Sequence, residues 1–320
     1  MLHCMCWKET CHQKKQNSSF CTMSLAPILL FTYNRPLHTR QTLEALLNNE
    51  LSSRSELYVF SDGYKNNHDR KEVLEVRELI RSIDGFSKVH ITENSENLGL
   101  AKNIIEGVTQ IVHRHEKVIV LEDDLITSPH FLTFMNEALE KFKDEERIGH
   151  IQGFCFPIEG LPDTFLIKWT GSWGWATWKR AWQHFNPDGK ALLSEIERRK
   201  LSKTFDFNGS YPYTRMLQRQ VNGENDSWAI RWNASLFLKD ILSLNAGRSL
   251  VMNIGFDGSG SHCGPEVIYN TRLHHGELKT EISEMRENKT VRKAFEKYYG
   301  RTNSFMAKVN RRINRFLRSS

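Results

Sequence analysis

Glu122, Asp123 and Asp124 are three consecutive carboxylates set directly behind four apolar residues, in the stretch VIVLEDDLITSPHF that begins at Val118. Like charges at adjacent positions repel, and burial raises the cost, so something must neutralise them. Carboxylate oxygens are hard ligands that suit Mg2+ or Mn2+, and a site built from one or two of them borrows its other ligands from substrate phosphates and water. A divalent cation that travels with a phosphorylated substrate is therefore the chemistry to expect. Bound to a diphosphate, such an ion neutralises the charge that develops as a bond to the diphosphate breaks. If the apolar run is a strand, alternation puts Glu122 and Asp124 on one side and Asp123 on the other. A solvated acidic loop has the same composition, so the elements around the triplet must decide.

Those elements repeat. PILLFTY (27–33), ELYVFSDG (56–63), KVHITEN (88–94) and KVIVLEDD (117–124) are short apolar runs, each followed by a helical pattern: HTRQTLEALLNN, HDRKEVLEVRELIRSI, GLAKNIIEGVTQIVHR and PHFLTFMNEALEKF. Four strand-then-helix units predict βαβ crossovers and an α/β fold with a mostly parallel central sheet flanked by helices. Ligands of such sheets bind at the carboxyl ends of the strands. Those ends are Thr32 to Arg35, Ser61-Asp62-Gly63, Asn94 through Gly99, and the acidic triplet, all polar and expected on one rim. Neither GxGxxG nor GxxxxGK[ST] follows the first strand, which argues against a dinucleotide fold and a P-loop.

After Gly149 the regularity fades and tryptophan becomes dense: KWTGSWGWATWKRAW (168–182) holds five of the eight, and NDSWAIRWNASLF (225–237) two more. Core packing is one use for them, but indole faces also grip sugars, and the cluster suggests a pocket wall built from Trp173, Trp175 and Trp228. SLVMNIGFDGSGSHCG (249–264) combines a strand with a Gly/Ser-rich loop carrying Asp257 and His262, the kind of segment that closes over a ligand.

The 320 residues carry a formal charge of +6, unevenly spread: residues 288–320 hold +9, leaving about −3 for the remainder. In the tail, Phe305, Val309, Ile313 and Leu317 recur at helical spacing among Lys308, Arg311, Arg312, Arg315 and Arg318. Such a helix suits an anionic membrane surface, or else docks on the body; a nucleic-acid role is not expected, because the basic stretch is short and lacks a binding fold. Four of the six cysteines fall within the first 21 residues, with no CxxC pair, so neither a disulfide framework nor a zinc knot is expected there. Residues 1–23 read as a disordered leader, with Met23 as an alternative start. The absence of an apolar run of span length predicts a cytoplasmic chain, peripheral on the inner face of the plasma membrane if the tail binds lipid.

From about residue 26 to 264 the chain resembles the GT-A type nucleotide-sugar glycosyltransferases, and within them bacterial relatives of N-acetylglucosaminyltransferase I. The resemblance is carried by PILLFTYNRP, the Asp62 of FSDG, NLGLAKN, VIVLEDDL as a DXD-type metal motif, GWATWKRAW and NDSW, in that order. It implies a Rossmann-like GT-A fold with a nucleotide-sugar half at 24–150, a smaller mixed acceptor-side half at 151–285 and a basic helical tail at 286–320. It further implies Asp124 as the Mn2+ (or Mg2+) ligand, with Glu122 and Asp123 on the donor's sugar and ribose. Thr32, Arg35, Asp62 and Lys102 would line the donor site, Asp62 accepting from the base, and His262 would approach the diphosphate. Asp226, as a buried carboxylate at the start of a helix, would be the general base, although NDS is also a plain helix N-cap.

The chemistry coheres around those residues. An acceptor hydroxyl needs a carboxylate to take its proton as the glycosidic bond forms, and one base opposite the leaving group gives inversion. The expected function is a metal-dependent inverting glycosyltransferase acting on a nucleotide sugar, UDP-linked by expectation, and a glycan or lipid-linked acceptor in surface polysaccharide synthesis. The alternatives are a sugar-nucleotide nucleotidyltransferase, which usually opens with a Gly-rich loop that FTYNRPLHTR lacks, and a non-catalytic carbohydrate-binding protein, which has no need of a base.

Overall fold

Strand β1 (Ile28–Thr32) is buried along its whole length, as expected of a strand covered on both faces. Alternation divides it: Ile28 and Leu30 belong to one core layer with Leu43 and Leu46, whereas Leu29 and Phe31 belong to another with Ile104, Val108 and Ile111. The same division in β4 (Lys117–Glu122) sends Ile119 and Leu121 to the first layer and Val118 and Val120 to the second. Helices α1 (Pro36–Leu47), α2 (Arg70–Arg81) and α4 (Phe131–Lys141) feed the first layer, and α3 (Leu100–His115) the second. The structure, a computed structural model, describes residues 24–257 and 271–303.

Strands β1, β2 (Glu56–Ser61), β3 (Lys88–Glu93) and β4 are parallel, in the spatial order β3-β2-β1-β4. The register pairs Thr32 with Ser61, Ser61 with Glu93 and Phe31 with Glu122, so the four polar strand ends lie on one rim. The sheet continues through β8 (Trp175–Trp178), β6 (Ile148–Gln152), β9 (Leu242–Ala246) and β7 (Thr164–Ile167). Strand β8 runs antiparallel to both β4 and β6, β9 is parallel to β6, and β7 is antiparallel to β9. The result is an α/β fold whose eight-stranded, mostly parallel sheet is flanked by helices, consistent with the GT-A resemblance. A separate antiparallel pair joins β5 (Leu125–Thr127), directly behind the acidic triplet, to β10 (Val251–Asn253).

Helices α5 (Gly189–Arg198), α6 (Tyr213–Val221) and α7 (Trp228–Leu238) cover the second half of the sheet. Helix α8 (Lys289–Thr302) is docked on the body through Val291, Phe295 and Tyr299, all buried, so the basic character expected from residue 286 onward begins on a helix that belongs to the core. Residues 304–320, the leader 1–23 and His262 lie outside the described residues. Among the described residues no helix is long and apolar enough to cross a membrane.

Candidate active site

The acidic triplet straddles the end of β4 and the turn into β5. Asp123 Oδ2 accepts from the Tyr33 backbone N–H at 3.2 Å, while Asp124 Oδ2 accepts from Arg35 Nη1 at 2.8 Å and Oδ1 from Asn253 Nδ2 at 3.4 Å. The β5–β10 pairing sets Asn253 opposite Leu125, and the Ile254 N–H then bonds the Asp124 carbonyl at 2.9 Å. Burial, followed by the charges of Asp124 and Asp123, holds the Glu122 carboxyl well above the usual carboxylate range, against the pull of Arg35. Burial, then the charge of Asp124, pushes Asp123 up to about 7. One guanidinium does not neutralise three carboxylates, and the crowding raises the proton affinity of Glu122 and Asp123.

The surroundings fit a divalent ion. Gly255 packs so closely that a Cβ there would lie 2.2 Å from Asp124 Oδ2 and 2.9 Å from Arg35 Nη2, so only glycine fits beside the Asp124–Arg35 pair without displacing it. Beside the turn, the buried Thr32 hydroxyl has no hydrogen-bond partner among the described residues, an orphan of the sort a bound ligand satisfies. Thr32, Arg35, Asp123 and Asp124 therefore meet at one place, as the sequence suggested. Asn253 and Gly255 were missed, because only the pairing of β10 with β5 brings them there; their signal was the glycine-rich stretch after a strand.

Asp62 has another occupation. Its Oδ1 accepts from Gly63 N, Leu98 N and Asn94 Nδ2 at 3.0, 2.9 and 3.3 Å, and its Oδ2 from Asn97 Nδ2 and Gly99 N, both at 3.0 Å. A carboxylate offers about four lone-pair sites, so the acceptors expected to meet a base are taken up in clamping the NLG turn. Gly99, at φ +78, makes the left-handed entry to α3 that this clamp requires. Lys102 stands in the first turn of α3, exposed, with Nζ 3.9 Å from Glu106, and among the described residues no contact brings it to the acidic turn.

Three further expectations are corrected. Asp226 is not buried: its side chain is 73% exposed, and the cap of α7 is Ser227, whose hydroxyl accepts from the Ile230 N–H at 3.3 Å. Asp226 Oδ1 instead accepts from the buried Arg231 Nη2 at 2.8 Å, and Oδ2 has no hydrogen-bond partner among the described residues. Trp175 and Trp228 are core, not wall. They stack on each other at 5.2 Å, Trp175 stacks on His150 at 5.3 Å, and both indoles are buried in the second layer, where no sugar reaches them. A hydrophobic slot between β8 and α7 is filled at less cost by flat indoles than left open.

Trp173 does line a pocket. A cavity of about 150 Å³ opens between the segment 169–173 and the start of α7, walled by Phe154, Phe156, Trp169, Trp173, Tyr211 and Tyr213, with Ser227 and Asn233 as polar points. Trp173 meets Phe256 edge-on at 5.4 Å, next to Gly255, so pocket and acidic turn are joined through two side chains. Asp226 adjoins the pocket through its neighbour Ser227.

No curated protein matches the chain. It is similar in structure to S. aureus TarS, at 14% identity and a TM-score of 0.30 over 43% of this chain and 23% of that one. For residues 1–349 of TarS the identity is again 14% and the TM-score 0.34, over 54% of this chain and 49% of that one. The mannosyltransferase PcManGT from Pyrobaculum calidifontis, in complex with GDP-Man and Mn2+, gives 9% identity and a TM-score of 0.36 over 71% and 75%. The chain thus spans about a quarter and half of the two TarS structures. Residues 28–153, from β1 to the end of β6 and including Thr32, Arg35, Asp62 and the acidic turn, match glycosyl transferase family 2, which supports a glycosyltransferase.

Proposed function

We propose that this chain is a metal-dependent inverting glycosyltransferase that moves a sugar from a nucleotide donor, UDP-linked, to a glycan or lipid-linked acceptor in surface polysaccharide synthesis. The observation that carries the reading is the acidic turn itself: three carboxylates at the strand-end rim facing one guanidinium, two of them with raised proton affinity, and Gly255 packed where no larger residue fits beside Asp124. The family match over the half that contains this turn supports it. The resemblance to relatives of N-acetylglucosaminyltransferase I favours a hexosyl or N-acetylhexosaminyl donor.

Asp124 is the residue to hold Mn2+ or Mg2+, which when bound offsets the charge on the diphosphate leaving group. Arg35, already at the turn, adds a fixed positive charge on the same side. The Thr32 hydroxyl supplies a hydrogen bond to the donor, Glu122 and Asp123 meet its hydroxyls, and Asp62 shapes the site through the 97–99 turn rather than by contact. Asp226 takes the acceptor's proton as its oxygen bonds to the anomeric carbon; Arg231 holds Oδ1, so Oδ2 is the atom that receives it. A single base acting opposite the leaving group inverts the anomeric centre. The aromatic pocket beside Ser227 receives the acceptor, and the basic tail brings the enzyme to lipid-linked substrates on an anionic membrane.

Release of nucleotide from a panel of UDP-, GDP- and dTDP-sugars, with Mn2+, Mg2+ or chelator, tests the reading in wild type and Asp124→Ala. Slow release from one donor, dependent on the ion and lost in the variant, is expected. Release from none, without metal-dependent nucleotide binding by calorimetry, would overturn it.

A further inference from the structure

We propose that Gln152 is a positioning residue for the aromatic pocket: a buried hydrogen-bonded chain running from Trp232 through His150 to Gln152 fixes the segment 171–173 that forms the pocket wall. The functional consequence rests on the reading of that pocket as the acceptor site. The positional claim does not.

The direction of every bond in the chain follows from its first member. An indole N–H only donates, so His150 Nδ1 accepts from Trp232 Nε1, 3.2 Å away. With Nδ1 unprotonated, the neutral ring carries its hydrogen on Nε2 and donates it to Gln152 Oε1 at 3.0 Å. That fixes the amide: Oε1 also accepts from the Gly171 N–H at 3.1 Å, and Nε2 donates to the Trp173 carbonyl at 2.8 Å. Burial pushes the His150 pKa down to about 4, so the ring stays neutral around pH 7 and the polarity of the chain does not reverse.

His150 and Gln152 are both fully buried, on neighbouring inward positions of β6, and neither lines the pocket. The residues they hold do: Gly171, Ser172 and Trp173 are wall. Other contacts act on the same segment. Thr170 N–H bonds Asn233 at 3.0 Å, and Trp173 meets Phe154 and Phe256 edge-on at 4.7 and 5.4 Å. Gly171 lies flush on the Gln152 amide, since a Cβ there would be 2.8 Å from both Cδ and Oε1 and 3.0 Å from Nε2. Gln152 thus holds both Gly171 and the Trp173 carbonyl from behind the wall, without itself lining the pocket.

The test reads Trp173 directly. The full chain is labelled with 5-fluorotryptophan, the Trp173 19F signal is assigned with Trp173→Phe, and Gln152→Met is compared with wild type. Gly171→Ala serves as a second variant that pushes the same contact apart from the partly exposed side, leaving the core side chains intact. The expected result in both is a Trp173 signal shifted by more than its linewidth, or doubled, with those of Trp178 and Trp182 in place. An unmoved Trp173 signal in either folded variant would overturn the proposal, as would equal shifts of all signals, which mark general loosening. No donor, metal or acceptor enters this measurement, so it stands or falls apart from the transferase reading. On that reading, nucleotide release stimulated by free monosaccharides should need about tenfold more sugar for half-saturation in Gln152→Met, with unstimulated release unchanged. A loss of unstimulated release with half-saturation unchanged would overturn the functional consequence.

Discussion

Gly255→Ala closes the site without removing any of its functional groups. The position has no left-handed backbone, so alanine meets no torsional penalty, and the effect is steric alone. Its Cβ would stand 2.2 Å from Asp124 Oδ2, where an ordinary contact needs roughly 3.5 Å. The carboxylate must therefore retreat by about 1.3 Å, and it cannot do so freely, being tied to Arg35 at 2.8 Å and Asn253 at 3.4 Å on a turn held by the Ile254–Asp124 backbone bond. Metal–oxygen distances tolerate only about 0.2 Å, and a misplacement of about 1 Å at a reacting centre costs on the order of 100-fold. The expected outcome is a loss of about 100-fold in metal-dependent nucleotide release, with metal-dependent binding of the nucleoside diphosphate weakened in parallel by calorimetry. The fold should survive, since a crowded turn costs about 1–3 kcal/mol. If a well-folded Gly255→Ala binds and releases nucleotide as wild type does, Asp124 is not the centre of the site.

The remaining predictions concern what the rim residues do for the fold. Asp62→Ala strands five donors at once, so chemical denaturation should show a loss of about 3 kcal/mol or more; a loss under about 1 kcal/mol would mean that the clamp on the 97–99 turn is not formed in solution. For Asp123, whose folded value is raised to about 7 against about 4 in the unfolded chain, the folded state keeps a proton that the unfolded state has lost. Its contribution to stability therefore falls as pH rises from about 4 to about 7 and is level above. In chelator, the melting temperature of wild type minus that of Asp123→Asn should fall across this window. Taking the difference cancels His150, whose depressed value works in the opposite sense. A rising difference would show that Asp123 is ionised and paired.

What could be read in the sequence divides at Gln152. Before it, β1, β2 and β4 are buried nearly throughout and appear as apolar runs, the edge strand β3 is the exception with its mixed KVHITE, and each is followed by a helix with an apolar stripe. The rule that ligands sit at strand ends then carried Thr32, Arg35 and the acidic triplet to one rim. After Gln152 the strands are three to five residues long and mostly antiparallel, and β8, the tetrapeptide WATW, is central, buried on both faces and wholly without alternation. Its tryptophans looked like a wall because composition does not say which face of an indole is covered. Trp175 lies under α7 and Trp173, two residues earlier, is outside the sheet, a difference made by the fold and not by composition.

The site residues show a different kind of limit. Both carboxylates singled out for chemistry are held through one oxygen by an arginine: Asp124 by Arg35, 89 positions earlier, and Asp226 by Arg231, five positions later. The second pairing also explains why Asp226 does not cap α7. Arg231 lies on the first turn and a half of the helix, its Nε bonds the Ser227 carbonyl at 3.2 Å, and the guanidinium so placed draws the carboxylate outward, leaving the cap to Ser227. In sequence, Asp and Ser side by side before a helix are equal candidates for the cap. An arginine at i+5 breaks the tie, because a buried guanidinium without a carboxylate costs far more than a serine cap in place of an aspartate one. The same pairing leaves Asp226 largely exposed, next in sequence to Ser227, which lines the aromatic pocket.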